Sequence, residues 1–470
     1  MAVGPVAAYR CCSESREAWS ATLITYRPIR NEAPAHDQFC YSPTPARVGR
    51  GGAVRVLIHA FGTEGDVRPF VALATGLTGA GHQSAICTPT GFTDLLTAHK
   101  VEHLPMDNAG LELIQTVMPS MRGAADSYQL ARRMQAAMRQ MMLDEWAAAR
   151  SWRPDVIVYH PKCLGALHIA ERLDLPAFIS LPLPFFTPTA AFPIPFIGRW
   201  PLGGAANKAS YAFNHATMLM YGSMINTFRT DTLGLRRTPR TDALLSRRDG
   251  TPVPALYPFS THLVPRPADY PDHAHITGPW TLDTDPAWTP PADLARFLDA
   301  GDAPVYVGFG SMGFGKNAAQ RTARIVHALT NHRRRVLLAT GWGGLTRYTD
   351  AEQVHTIRSV PHDWLFPRTA AVIHHGGSGT THAGLGAGRP TLICPFIGDQ
   401  SFWGHRVHDL GAGPGPIPSW KITDARLHPA IDRLLNDCDL RARAQQLGDQ
   451  LSRENGIYSA VQAIWSEAKT

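Results

Sequence analysis

Cysteine is scarce and scattered: the 470 residues hold seven, an odd number. Cys11-Cys12 is the only close pair and no C-x-x-C occurs. That usage points to a reducing compartment with isolated thiols. Long hydrophobic runs are missing as well, since no stretch approaches the roughly twenty apolar residues of a membrane-spanning helix. The amino end lacks the basic-then-apolar pattern of a secretory signal. Charge of one sign is never concentrated. The net charge is +7, and the densest run, Arg333-Arg334-Arg335, precedes the apolar Val336-Leu337-Leu338 and reads as a solvated helix end. The expectation is a soluble cytoplasmic protein without a nucleic-acid partner, making at most peripheral contact with an anionic membrane surface.

What the chain has is apolar content arranged in short runs. With 44% hydrophobic residues, 470 residues suffice for two domains with separate cores. Residues 1–52 show no periodicity and end in Gly49-Arg50-Gly51-Gly52, which reads as a disordered extension. Ala53-Val54-Arg55-Val56-Leu57-Ile58 suits a buried parallel strand. A helical pattern through Phe70, Leu73, Ala74 and Leu77 follows, then a second strand at Gln83–Thr88. Strand, helix, strand within about thirty-five residues is a βαβ unit. The alternation continues at 155–159, 165–173 and 177–180. Residues 264–291 turn to Pro, Asp, Thr and Trp and read as a linker. It resumes at 304–309, 318–329, 335–339, 371–373 and 391–394. The expected organisation is an acceptor-side Rossmann-like domain over 53–263, the linker 264–291 and a second Rossmann-like domain over 292–450. A helix over 451–470 is expected to pack back on the first domain. The fold class is α/β, two doubly wound domains facing across a cleft.

The densest chemistry lies in Val372-Ile373-His374-His375-Gly376-Gly377-Ser378-Gly379-Thr380-Thr381. A strand ends, glycines turn the chain and a helix begins, so the backbone can approach a ligand closely and free N–H groups can meet a phosphate. His374, His375 and His382 invite a zinc reading, but adjacent strand residues point to opposite faces and no acidic or cysteine partner stands at ligand spacing. Gly310-Ser311-Met312-Gly313-Phe314-Gly315-Lys316-Asn317 nearly forms a phosphate loop. Asn317 removes the hydroxyl that would hold Mg²⁺, so a glycine-rich turn over a nucleotide fits better than an NTP hydrolase. Asp283-Thr284-Asp285 matches a metal-binding D-x-D, yet beside Pro286 it reads as an exposed turn. Two acidic positions stay open between two readings. Asp66, where the first strand meets its helix, is either a ligand-side carboxylate or a helix cap that adds about 1 kcal/mol. Asp399-Gln400 offers hydrogen-bonding groups for a polyhydroxylated ligand or, again, a cap. The Pro- and Phe-rich residues 182–201 and the Met-rich stretch from Met134 to Met142 could face a hydrophobic ligand, the methionines also being plain core candidates.

Taken together, Val360-Pro361-His362-Asp363-Trp364, the His374–Thr381 loop and Pro395-Phe396-Ile397-Gly398-Asp399-Gln400 resemble the donor signature of GT-B nucleotide-sugar glycosyltransferases. More narrowly, Gly62-Thr63-Glu64-Gly65-Asp66-Val67-Arg68-Pro69 resembles the G-S-R-G-D-V-x-P of the sterol 3β-glucosyltransferase branch and its bacterial natural-product relatives. The resemblance runs from about residue 53 to 465. It implies Asp66 as general base. It implies His375, Gly377, Ser378, Gly379 and Thr380 around the diphosphate, with Ser311 at the phosphates. Trp342, Ser359 and Val360 would border the nucleobase, and Asp399 and Gln400 would bind the sugar. The implied reaction is inverting transfer of a hexose, expected to be glucose from UDP-glucose, to a large hydrophobic alcohol such as a sterol, triterpenoid or macrolide. The UDP-sugar is a co-substrate, and neither cofactor nor metal is implied. The alternative is a non-catalytic lipid- or sterol-binding protein on the same fold. Where the family has Ser-Arg this chain has Thr63-Glu64, and a carboxylate beside Asp66 is expected to raise its pKa. The membrane-targeting modules of fungal relatives are not expected, because only about fifty residues precede the first strand.

Overall fold

The computed structural model describes residues 52–113, 124–197, 203–239, 246–247, 249–285, 287–310, 317–341, 345–348 and 352–468. The expected extension over 1–52 therefore lies outside the described residues except for Gly52. Seven strands build a first sheet: β1 Arg55–His59, β2 Gln83–Pro89, β3 Glu102–Met106, β4 Val156–Tyr159, β5 Ala177–Ser180, β6 Ala255–Tyr257 and β7 Ala274–Ile276. Five build a second: β8 Val305–Gly308, β9 Val336–Ala339, β10 Val354–Ile357, β11 Ala371–His374 and β12 Thr391–Ile393. The spatial orders are β3-β2-β1-β4-β5-β6-β7 and β10-β9-β8-β11-β12. Every ladder is parallel. In each sheet the order reverses beside its first strand in sequence, and ligands of such sheets gather at the carboxyl ends near that switch.

Period-two burial explains why these runs are strands and not helices. In the second sheet Val305, Val307, Val336, Leu338, Ala371 and Ile373 enter one core. The residues between them, Tyr306, Leu337 and Val372, enter another on the opposite face. Both faces are covered, so the strands read as unbroken apolar runs.

One boundary differs from the sequence reading. The stretch 264–291 is not only a connector, because Ala274–Ile276 pairs with β6 and closes the first sheet. Three residues amid Pro and Asp give too short a pattern to stand out. The helix Gly456–Glu467 lies against the helix Glu64–Gly79 of the first half. Ile457 sits where a side chain on Gly76 would go, and Arg247 and Glu467 pair at 3.0 Å. Gly51–Thr470 forms one compact unit, knitted across its halves by named bonds. The Ser260 N–H donates to His382 Nε2 (3.1 Å), and Arg406 donates to the Leu263 carbonyl through Nε (2.9 Å) and its terminal nitrogen (2.8 Å).

Candidate active site

β1 ends at His59, and the chain turns through Gly62 into the helix Glu64–Gly79. Gly62 adopts φ +144°, and a Cβ there would stand 2.1 Å from Asp66 Oδ2, so glycine is required. Thr63 caps the helix. Its N–H donates to Asp66 Oδ2 at 2.6 Å and its hydroxyl donates to the same oxygen at 3.1 Å. Asp66 thus closes a capping box, while its carboxylate keeps 22% of its surface exposed. The capping and ligand-side readings coincide in one residue.

Two residues that sequence reasoning missed complete this half. At the end of β4, the Lys162 ammonium stands 3.0 Å from Asp66 Oδ2 and His160 Nε2 lies 3.4 Å from Oδ1. His160 Nδ1 accepts the Lys162 N–H at 3.2 Å, which puts the ring proton on Nε2, facing Asp66. Burial by itself would raise the Asp66 pKa. Lys162 and His160 outweigh it and hold the carboxyl well below the usual range. The expected rise from Glu64 does not occur. Glu64 turns away to pair with Arg68 at 2.9 Å, one turn along the helix, as residues two apart on a helix do not face each other. A signal for Lys162 existed: His160-Pro161-Lys162 directly follows the apolar run of β4, at the carboxyl edge where ligands collect.

In the second half, β11 passes through Gly376 (φ +98°) to Gly377, which caps the helix Ser378–Gly386. His374 points into the core, its Nδ1 accepting the Gly376 N–H at 3.0 Å. His375 is half-buried between glycines. A Cβ on Gly310 would be 3.2 Å from its Cε1, and one on Gly377 would be 2.6 Å from its Nε2. Burial lowers its pKa to about 4, so at neutral pH it offers one N–H, not a full charge. The two imidazoles stand at 88° with centroids 5.9 Å apart and do not converge. Among the described residues no cluster of three or more His, Cys, Asp or Glu is placed to hold a metal ion. Asp285 of the D-x-D makes turn chemistry, accepting the Ala287 N–H at 2.9 Å.

The remaining expected residues separate. Gly377 and Thr380 are half-buried in the first turn, and Gly379 faces open space. Ser378 also has a partner inside the fold: its buried hydroxyl lies 3.3 Å from His382 Nδ1, which meets the Ser378 carbonyl at 2.8 Å. His382 has turned inward to meet Ser260 and cannot join the loop. Ser359 is exposed and Val360 buried, just past the edge strand β10. Ser311 and Trp342 lie outside the described residues. Asp399 occupies the cap position of the helix Gln400–Asp409 without making a capping bond. Burial pushes its pKa up to about 6, helped by the charge of Asp66 and opposed by its own N–H, Trp403 and Lys162. Gln400 has a structural duty, since its Oε1 accepts the N–H groups of Phe396 (2.8 Å) and Ile397 (3.2 Å). Its NH₂ is the part left to meet a ligand. The structure therefore brings Asp66 and Lys162 of one half within electrostatic reach of Asp399 of the other.

Apolar surface adjoins this point. Phe196 lies 3.6 Å from where a Cβ on Gly398 would stand, and Phe196, Phe213 and Ile397 are exposed. The methionine stretch divides, with Met141 and Met142 in the core because they back the first sheet. A cavity of about 230 Å³ under the 182–197 loop is lined by Ile179, Phe186 and Val253. None of its walls belongs to the Asp66 site.

Two parallel α/β sheets with ligand-side carboxyl edges define the GT-B fold, and a family model matches in each half. Residues 56–192 match the glycosyltransferase family 28 N-terminal domain, and residues 348–456 match the erythromycin biosynthesis protein CIII-like C-terminal domain. The chain is 34% identical over 427 residues to sterol 3-beta-glucosyltransferase UGT80A2 of Arabidopsis thaliana, covering 88% of itself and 65% of that protein. It is 34% identical over 432 residues to the sterol 3-beta-glucosyltransferase of Emericella nidulans, covering 88% of itself and 30% of the relative. It thus spans less than two thirds of either. Among solved structures, the kitacinnamycin glycotransferase superposes with a TM-score of 0.67 at 17% identity, with 89% of this chain and 100% of that one covered. The glycosyltransferase SnogD from Streptomyces nogalater superposes at 0.59 and 19%, with 88% and 100% covered.

Proposed function

We propose that the protein is an inverting glycosyltransferase that moves a hexose, glucose from UDP-glucose, to a hydroxyl of a large hydrophobic acceptor of the sterol class. The observations that support the reading are a solvent-reachable Asp66 at the carboxyl edge of the first sheet and a glycine-rich helix N-terminus at the carboxyl edge of the second. The acceptor hydroxyl donates to Asp66. Its oxygen attacks the anomeric carbon while Asp66 takes the proton, and the bond to the nucleoside diphosphate breaks on the far side, inverting the centre. The departing charge meets the N–H groups of Gly377, Ser378 and Gly379, the His375 N–H and the Thr380 hydroxyl, which is how a helix N-terminus can serve without a metal. Asp399 and the Gln400 NH₂ hold the sugar. The family resemblance assigns Ser311 to the phosphates and Trp342, Ser359 and Val360 to the base. The acceptor rests on Phe196, Phe213 and Ile397. Cytoplasmic residence with peripheral membrane contact suits such a substrate. The names of the plant and fungal relatives support the sterol class.

The test is UDP release from UDP-glucose with a sterol, a triterpenoid and a macrolide in parallel. Release with the sterol and a β-configured product are expected. No release with any apolar alcohol would favour the other reading, a lipid- or sterol-binding protein on this fold.

A further inference from the structure

The oxygens of Asp66 are loaded unequally. Oδ2 receives three donors: the Thr63 N–H at 2.6 Å, the Lys162 ammonium at 3.0 Å and the Thr63 hydroxyl at 3.1 Å. Among the described residues Oδ1 faces only His160 Nε2, at 3.4 Å. A carboxylate oxygen accommodates about two donors, so Oδ2 is full and Oδ1 retains capacity. The groups around the carboxylate are few. Lys162 and His160 come from the end of β4 and Asp399 from the other half. On its own helix Glu64 and Arg68 pair with each other. Among the described residues, the Lys162 ammonium acts on both Asp66 and Asp399.

We propose that Lys162 is a positioning residue for the base: its ammonium occupies Oδ2 so that Oδ1 meets the acceptor hydroxyl, and its backbone N–H turns the His160 ring toward Oδ1. The same peptide does both tasks, because the Lys162 N–H orients His160 while the Lys162 side chain, 46% exposed, comes over Asp66 from the solvent side. This inference rests on Asp66 being the base.

The experiment compares K162Q, which keeps a hydrogen-bond donor without charge, with K162R, which keeps the charge. Two quantities are read: the ¹³C titration of the Asp66 carboxyl, and the pH profile of kcat/KM for cholesterol at saturating UDP-glucose. In K162Q the Asp66 titration and the acid limb should both rise by about one pH unit or more. K162R should keep the wild-type values, and UDP affinity should stay within about twofold in both. A uniform loss at every pH in K162Q, an unmoved Asp66 titration, or a K162R that behaves like K162Q would overturn the proposal. D66N separates the two levels. A fully active D66N removes the base reading itself, whereas an inactive D66N with an unmoved K162Q removes only the role of Lys162.

Discussion

Asp66 and Asp399 are the same residue at equivalent places, each where a strand of its sheet hands over to a helix. Their states are opposite. Asp66 is held ionised by a lysine, a histidine and its own capping box. Asp399 has no capping bond, and burial pushes it up to about 6. Burial acts on both in the same direction, so the partners decide the outcome. One half presents a carboxylate that stays ionised throughout the working range. The other presents one that titrates within the working range and is sensitive to what lies beside it.

The contrast can be broken at Gly62, with the largest effect expected. A Cβ there would collide with Asp66 Oδ2, so Gly62→Ala must displace the carboxylate from Lys162 and Thr63. A shift of about 1 Å in a reacting group costs on the order of 10²-fold in kcat, and steady-state kinetics with unchanged UDP affinity would record it. Asp399→Asn should act less severely. Losing one charge-assisted contact to the sugar corresponds to about tenfold in the KM for the donor. Its stability effect has a definite sign. A carboxyl whose folded pKa is raised stabilises the fold below its unfolded pKa near 4 and loses that contribution as pH rises through 6. Asp399→Asn should therefore flatten the fall in melting temperature between pH 4 and 6. Asp66 contributes in the reverse sense, present above pH 4 and lost in stronger acid. The smallest effect belongs to Glu64→Gln. Its partner is Arg68 at the surface, and such pairs are worth under about 1 kcal/mol. The acid limb of kcat/KM should stay in place, whereas an influence of Glu64 on Asp66 would move it.

The fold was legible where apolar runs were long and punctuated by glycine, as at β1, β4 and β11. It was hard to read at β3, Glu-His-Leu-Pro-Met, and β7, Ala-His-Ile, because edge strands are short and partly polar. The site was legible where chemistry is local, in the Gly62–Asp66 turn and the His374–Thr381 loop. It failed where distance in sequence hides contact. Glu64, two residues from Asp66, has no hold on it, while Lys162, ninety-six residues away, fixes its charge. The double duties of Ser378 and Gln400 were hidden for the same reason: the groups they serve, His382 and the Phe396–Ile397 turn, are set by folding and not by composition.

The central claim is that Asp66 of the first half takes the proton while the second half holds the nucleotide. The measurement that tests it most directly is the single-turnover rate of Asp66→Asn with UDP-glucose and a sterol, alongside its affinity for UDP. The account predicts a fall of about 10²- to 10⁴-fold in transfer with UDP binding unchanged. Transfer at the wild-type rate would contradict it.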